Sequence, residues 1–164
     1  MNPIFKADKE RGSSKHAIHF LYFKRLAEQS NNKIILLMCK IIMKYYTHQY
    51  GLEIAPHCRI GKGLYLGHAY NITINPQAII GDYCNIHKGV TIGQENRGDR
   101  KGFPTIGNKV WIGVNATIVG NIKIGDDVLI APNSFVNKDI PSHSIVFGNP
   151  CIVKSHPFAT EYYI

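Results

Sequence analysis

From Ile54 onward, thirteen aliphatic residues recur on a six-residue interval: Ile54, Ile60 and Leu66, then Ile74, Ile80, Ile86 and Ile92, then Ile106, Ile112, Ile118, Ile124, Ile130 and Val136. Six residues fit neither the 3.6-residue turn of a helix nor the simple alternation of a strand, and predict a chain wound into triangular coils with one hexad per side. Glycine follows the aliphatic residue at Gly61, Gly67, Gly81, Gly93, Gly107, Gly113 and Gly125, where a side chain would hinder a tight corner or a close backbone. The fifth hexad position is also mostly small or apolar: Cys58, Leu64, Cys84, Val90, Val110, Ala116, Ile122, Val128 and Ser134. Two inward positions per hexad would fill a narrow prism. The expected fold class is mainly β, a parallel β-helix of stacked hexads.

Two interruptions break the interval. Between Leu66 and Ile74 there are two extra residues, and between Ile92 and Ile106 there are eight, in the charged, Gly-containing segment 94–105. The longer insertion must leave the coil as a projecting loop. Loops on a rigid solenoid often carry its specific chemistry, so the active site is expected beside this one.

Ahead of the hexads, residues 1–50 form a separate segment, with helices expected from about His16 to Gln29 and from Asn32 to Gln49 and a stop at Gly51. The expected organisation is a helical segment over 1–50, a β-helix over 51–154 and a tail over 155–164. Lys33, Lys40 and Lys44 fall on one stripe of the second helix, leaving Ile34, Leu37, Met38, Ile41 and Ile42 for apolar contact. Packing against the end of the solenoid or between subunits explains this pattern and is preferred over an anionic membrane surface, which the same pattern would also suit.

The formal charge of +8 is concentrated in the first fifty residues and in the 97–101 loop. It raises the question of nucleic acid, but no recognition helix, zinc spacing or basic aromatic sheet accompanies it, and an anionic small ligand explains clustered cations as well. Cys39, Cys58, Cys84 and Cys151 form no CxxC pair, and Cys58 and Cys84 fall on inward positions, which suggests buried thiols and a reducing cytoplasm. No secretory signal is evident at the start, and the longest apolar run, Ile34 to Cys39, is too short to cross a bilayer.

The hexads, the projecting loop and the ending Gly148-Asn-Pro-x-x-Val-Lys154 resemble the hexapeptide-repeat acyltransferases over residues 51–154. Within that family, Gly51-Leu-Glu-Ile-Ala-Pro, Ile60-Gly-Lys-Gly-Leu-Tyr-Leu-Gly-His-Ala and Val90-Thr-Ile-Gly with Gly98-Asp-Arg resemble the serine acetyltransferase branch. The resemblance implies a left-handed helix and acetyl transfer from acetyl-CoA to a hydroxyl, with no metal. It puts the catalytic histidine of a Leu-Asp-His-Ala motif on His68 and its carboxylate partner on Glu53, where Asp is usual. Imidazole titrates near neutral pH and suits removal of a hydroxyl proton, which supports His68 independently. The resemblance also implies a homotrimer with acetyl-CoA in the groove between neighbouring solenoids, held at Gly93, Gln94, Val114, Ala131 and Pro132, with Lys154 and Arg97 available to its phosphates. Pairing of trimers through the basic helices is left open.

Three departures from the branch point away from serine. Gly67 replaces the Asp that helps to hold the serine amino group, Arg100-Lys101 replaces an Arg-His pair, and only about fifty residues stand where the branch has a long helical domain. An Asp-to-Gly change would widen the acceptor site and remove a charge, so the expected acceptor is a neutral saccharide, a sugar unit of a bacterial surface polysaccharide. A serine O-acetyltransferase of cysteine biosynthesis is the alternative and a non-catalytic β-helix scaffold ranks below it. A carbonic-anhydrase-like metal site would need three converging histidines, and His57, His68 and His87 lack that spacing. Among the other histidines, His87 is the best outside candidate.

Overall fold

The computed structural model describes residues 2–164 and contains three helices, α1 (Pro3–Glu10), α2 (Lys15–Gln29) and α3 (Lys33–Tyr50), followed by fifteen short strands. About five turns form a left-handed parallel β-helix with three faces. Face A stacks β1 (Leu52–Ile54), β4 (Ile72–Ile74), β7 (Thr91–Gly93), β10 (Thr117–Val119) and β13 (Phe135–Val136). Face B stacks β2 (Arg59–Ile60), β5 (Ile79–Ile80), β8 (Thr105–Ile106) and β11 (Lys123–Ile124). Face C stacks β3 (Tyr65–Gly67), β6 (Asn85–His87), β9 (Val110–Ile112), β12 (Val128–Ile130) and β14 (Ser144–Phe147), with β15 (Ile152–Ser155) added antiparallel.

The six-residue interval becomes three aliphatic ladders. Ile54, Ile74, Ile92, Ile118 and Val136 lie in register on face A, Ile60, Ile80, Ile106 and Ile124 on face B, and Leu66, Ile86, Ile112 and Ile130 on face C. Each of these residues is buried, as are the fifth-position residues from Cys58 to Ser134. All four cysteines are free and buried, and burial pushes the Cys84 thiol up to about 12. A left-handed backbone recurs at two corners of every coil, at Gly63, Tyr83, Lys109, Asp127 and His143 between faces B and C, and at Gly51, Asn71, Gly89, Asn115 and Asn133 between faces C and A.

The helical segment covers the end of this prism, where the first coil has no coil beneath it. Arg25 donates to the carbonyls of Ile60 (2.7 Å) and Gly61 (2.6 Å), Lys24 to that of Cys58 (3.0 Å), and Thr47 to that of Leu52 (2.9 Å). In the other direction, Leu64 N–H donates to Asp8 (2.9 Å) and Leu66 N–H to Ser13 (3.0 Å). Backbone groups that would face an empty rung are thus satisfied by side chains. Arg25 also pairs with Asp8 (2.8 Å) and Glu28 (3.1 Å), and Lys24 with Glu28. Burial drives the Lys24 pKa below the ordinary lysine value, with Glu28 opposing the shift. Part of the basic charge that suggested an anionic ligand therefore holds the helices to the solenoid.

Two expectations need correction here. The segment has three helices rather than two: Asn2 caps the missed α1, its side chain accepting from Ile4 N–H at 2.8 Å, and Pro3 occupies the first turn. On α3, Cys39, Met43 and Tyr46 are the buried residues; of the five expected to make apolar contact, Ile42 packs against the core, whereas Ile34, Leu37, Met38 and Ile41 are exposed in the single chain. The helix is apolar on two sides, and the more strongly aliphatic side is not the one packed inward. Among the described residues no helix is long and apolar enough to cross a membrane.

Residues after β15 fold back on face C. Asp127 accepts from Ala159 N–H (3.0 Å), Thr160 N–H (2.9 Å) and the Thr160 hydroxyl (2.7 Å), and lies 2.8 Å from His143 Nδ1. The Tyr163 carbonyl accepts from Asn85, and its ring lies 5.1 Å from Trp111.

Replacing Arg25 by Ala leaves Asp8 buried without its counter-charge and should cost about 3–5 kcal/mol, measured by denaturant unfolding. For the tail, burial alone would raise the Asp127 pKa, but its hydrogen bonds outweigh this and hold the carboxyl at about 2, below its ordinary 3.8. The folded value is depressed, so this contribution is complete above the ordinary value and is lost as pH falls through about 2. Emission of the single tryptophan, Trp111, should therefore report tail release in that window, and Asp127→Asn should give the released signal at neutral pH.

Candidate active site

The two extra residues between Leu66 and Ile74 enlarge the first corner between faces C and A. His68 stands on it, exposed, with φ +49°. This left-handed residue belongs to neither of the two recurring corner columns. Such a backbone costs a non-glycine residue about 1–2 kcal/mol, so the turn has to be held by its surroundings. From the next coil, Lys88 N–H donates to the Gly67 carbonyl (2.9 Å) and Gly89 N–H to that of Tyr70 (3.0 Å). Beneath it, Asn71 N–H donates to the Tyr50 carbonyl at 2.8 Å.

Glu53 lies on β1, directly under Thr73 of β4 on face A. Its exposed carboxylate accepts from the Thr73 hydroxyl at 3.4 Å, and no Glu53–His68 hydrogen bond is present. Glu53 also lines a cleft of about 510 Å³ between α3 and face A, with Lys40, Lys44 and Thr47 on one wall and Thr73 and Gly93 on the other.

Gly67 has a specific neighbour. A Cβ there would overlap the Nδ1–Cε1 edge of His87, which sits beside it in register on β6. The His87 ring lies 4.7 Å from Trp111 and 6.0 Å from Tyr65, with Nε2 buried and without a hydrogen-bond partner among the described residues. Burial first, and then the nearby His68, lower the His87 pKa, which favours a neutral second imidazole next to the first. Gly67 therefore does not widen the site as expected, because His87 fills the space.

The remaining candidate residues divide between two edges of the prism. Val114, Ala131 and Pro132 follow β9 and β12 on the edge that carries His68, and Ala131 lies three coils farther along, about 14 Å at the ordinary strand spacing. Gly93 ends β7 and Gln94 follows it on the edge between faces A and B, where the 94–105 loop begins. That loop closes through a Glu95–Gly102 bridge and rests on the next coil, where Asn121 N–H donates to the Arg100 carbonyl at 2.9 Å. Arg100 pairs with Glu95 at 3.1 Å, Lys101 is exposed, and Lys154 lies over the Phe147 ring at 5.6 Å. Within one chain the loop and His68 are on different edges, contrary to the expectation that they adjoin. Among the described residues, no group of three His, Cys, Asp or Glu side chains converges as a metal site.

Sequence reasoning missed His16. Its Nε2 is 3.1 Å from the carbonyl of Ala69, and its ring stacks on Tyr50 and contacts Tyr70. No linear spacing could reveal a contact across fifty-three residues between a helix and a coil.

Residues 103–138 match the family described as bacterial transferase hexapeptide (six repeats). Over 132 residues the chain is 37% identical to a serine acetyltransferase of Synechococcus elongatus, a match covering 80% of this chain and 50% of that protein. The chain thus spans about half the length of that relative. It is 34% identical over 132 residues to a serine acetyltransferase of Helicobacter pylori, covering 80% of this chain and 77% of that one. Among solved structures, the serine acetyltransferase of Neisseria gonorrhoeae in complex with serine superimposes with a TM-score of 0.76 at 27% identity, covering 93% of this chain and 68% of the other.

These relatives overturn the saccharide acceptor and the polysaccharide role expected from Gly67, and the His87 ring removes the physical basis of that expectation. Gly67→Asp alone should destabilise the protein by about 1–3 kcal/mol through overpacking against His87. Adding His87→Ala should recover most of the loss, as thermal unfolding of the single and double variants will measure.

Proposed function

Because the chain belongs to the serine acetyltransferase family, we propose that it transfers the acetyl group of acetyl-CoA to the hydroxyl of serine, with His68 as the general base. The observation that carries this reading is an exposed imidazole on a corner that is enlarged, left-handed and held by backbone hydrogen bonds from both neighbouring layers.

Serine is a poor nucleophile until its proton leaves as the new bond forms. His68 accepts that proton while the hydroxyl oxygen attacks the thioester carbonyl, and the tetrahedral intermediate collapses with loss of the CoA thiolate. The imidazolium then returns its proton to the thiolate, so the products are O-acetylserine, CoA and unchanged enzyme. Glu53 stabilises the imidazolium once its side chain turns from Thr73, and backbone N–H groups of the groove stabilise the oxyanion.

Arg100 and Lys101 supply cations for the serine carboxylate. They reach His68 when copies associate, with the edge of one solenoid bearing the loop set against the His68 edge of its neighbour. A homotrimer completes three such grooves. In each groove Gly93 and Gln94 of one copy face Val114, Ala131 and Pro132 of the next along acetyl-CoA, and Lys154 and Arg97 lie within reach of its phosphates. Four buried free cysteines suit the reducing cytoplasm, where acetyl-CoA is at hand.

The test is release of free CoA from acetyl-CoA by the purified protein in the presence of serine. His68→Ala should lower this turnover by about two to four powers of ten without altering the oligomer mass found by sedimentation. Unchanged turnover would remove His68 from the mechanism.

A further inference from the structure

We infer that His16, far from the hexads in sequence, is a positioning residue that fixes the aim of His68; this rests on the base role given to His68 above. The enlarged corner runs from Gly67 to Asn71. Its outer attachments are backbone to backbone: Gly67 and Tyr70 carbonyls to the coil above, and Asn71 N–H to the Tyr50 carbonyl below. The residue next to His68, Ala69, is fully buried, and its carbonyl has to find a partner inside the protein. That partner is His16, with Nε2 at 3.1 Å. A carbonyl only accepts, so Nε2 carries the proton. The Ser14 hydroxyl lies 3.2 Å from Nδ1 and 3.3 Å from Nε2, and with Nε2–H given to the carbonyl it can donate to Nδ1.

The ring that makes this bond is itself fixed. It stacks on Tyr50 with centroids 4.5 Å apart and planes 7° from parallel, and Tyr70 closes over it at 5.1 Å. Tyr70 belongs to the corner and Tyr50 ends α3, so one imidazole joins α2, α3 and the turn. Of the two residues added to this corner, Ala69 is buried in the core and His68 is exposed with a left-handed backbone, a conformation that persists only when its surroundings hold it. His16 supplies the internal tether that the backbone attachments at the two ends of the turn do not.

His16→Ala should lower kcat for acetyl transfer by about ten- to a hundredfold, the cost of a small misplacement of a reacting group, while KM for acetyl-CoA stays within about twofold of the parent value because the tether touches no part of the groove proposed for it. His16→Gln carries an amide donor at the position of Nε2 and should restore most of kcat. Ser13→Ala is the structural comparator: it removes the partner of Leu66 N–H on the same edge strand without touching the turn, and should lower Tm with kcat preserved. Hydrogen exchange of the peptide over 67–71 should quicken in His16→Ala but not in Ser13→Ala, which tests the tether without any turnover assay. Parent-like kcat and exchange in His16→Ala would overturn the inference, as would kcat losses that simply follow Tm in both variants. If the parent protein turns over nothing with serine while exchange responds as stated, the tether stands and the function proposed for His68 fails.

Discussion

Stacking short strands into a prism satisfies backbone groups only where there is a coil on each side, and the first coil has none below it. How that exposed rung is closed decides where the helices sit and what they bring to the turn bearing His68. Asp8, Ser13, Lys24, Arg25 and Thr47 replace the missing backbone partners one by one, and the buried charges among them neutralise each other through Asp8 and Glu28. Continued hexads would have satisfied the same groups with backbone, but would have offered no side chains to the turn that bears His68. The closure is therefore structural and functional at once, since His16 enters from the same helices that cap the coil.

The site uses regularity and its interruption in complementary ways. Regular rungs set Gly67 opposite His87, and place Val114, Ala131 and Pro132 above His68 on one edge. The interruption lifts His68 out of the wall into a left-handed turn. The same regularity keeps the 94–105 loop on another edge, so a single solenoid holds only part of the proposed chemistry. The trimer proposed above would turn two incomplete edges into one groove.

Charge and size were the least dependable guides to the ligand. Lys24 and Arg25 count toward a basic patch in the sequence, yet they are consumed within the fold. Gly67 reads as lost volume and lost charge, yet the neighbouring strand returns a ring to that volume. In both cases the sequence names a residue correctly and says nothing of what stands beside it. The acceptor inferred from Gly67 failed for that reason.

The hexad interval by itself determined the β-helix, its three buried ladders and the places where the chain must depart from the wall, because in a repeating coil neighbours in space are fixed by a constant separation in sequence. The motif resemblance, rather than the interval, pointed to His68, which stands at one of these departures and carries a side chain suited to the proposed chemistry. Only the tertiary structure decided the contacts that follow no interval: His16 on Ala69, Arg25 on the first coil and the tail on Asp127. Helix α3 shows the same limit, for its spacing gives two apolar sides and packing alone selects Cys39, Met43 and Tyr46 for the interior. A periodic pattern encodes contacts between its own repeats, whereas contacts between a helix and a coil depend on the angle at which whole elements dock, and no local spacing records that angle.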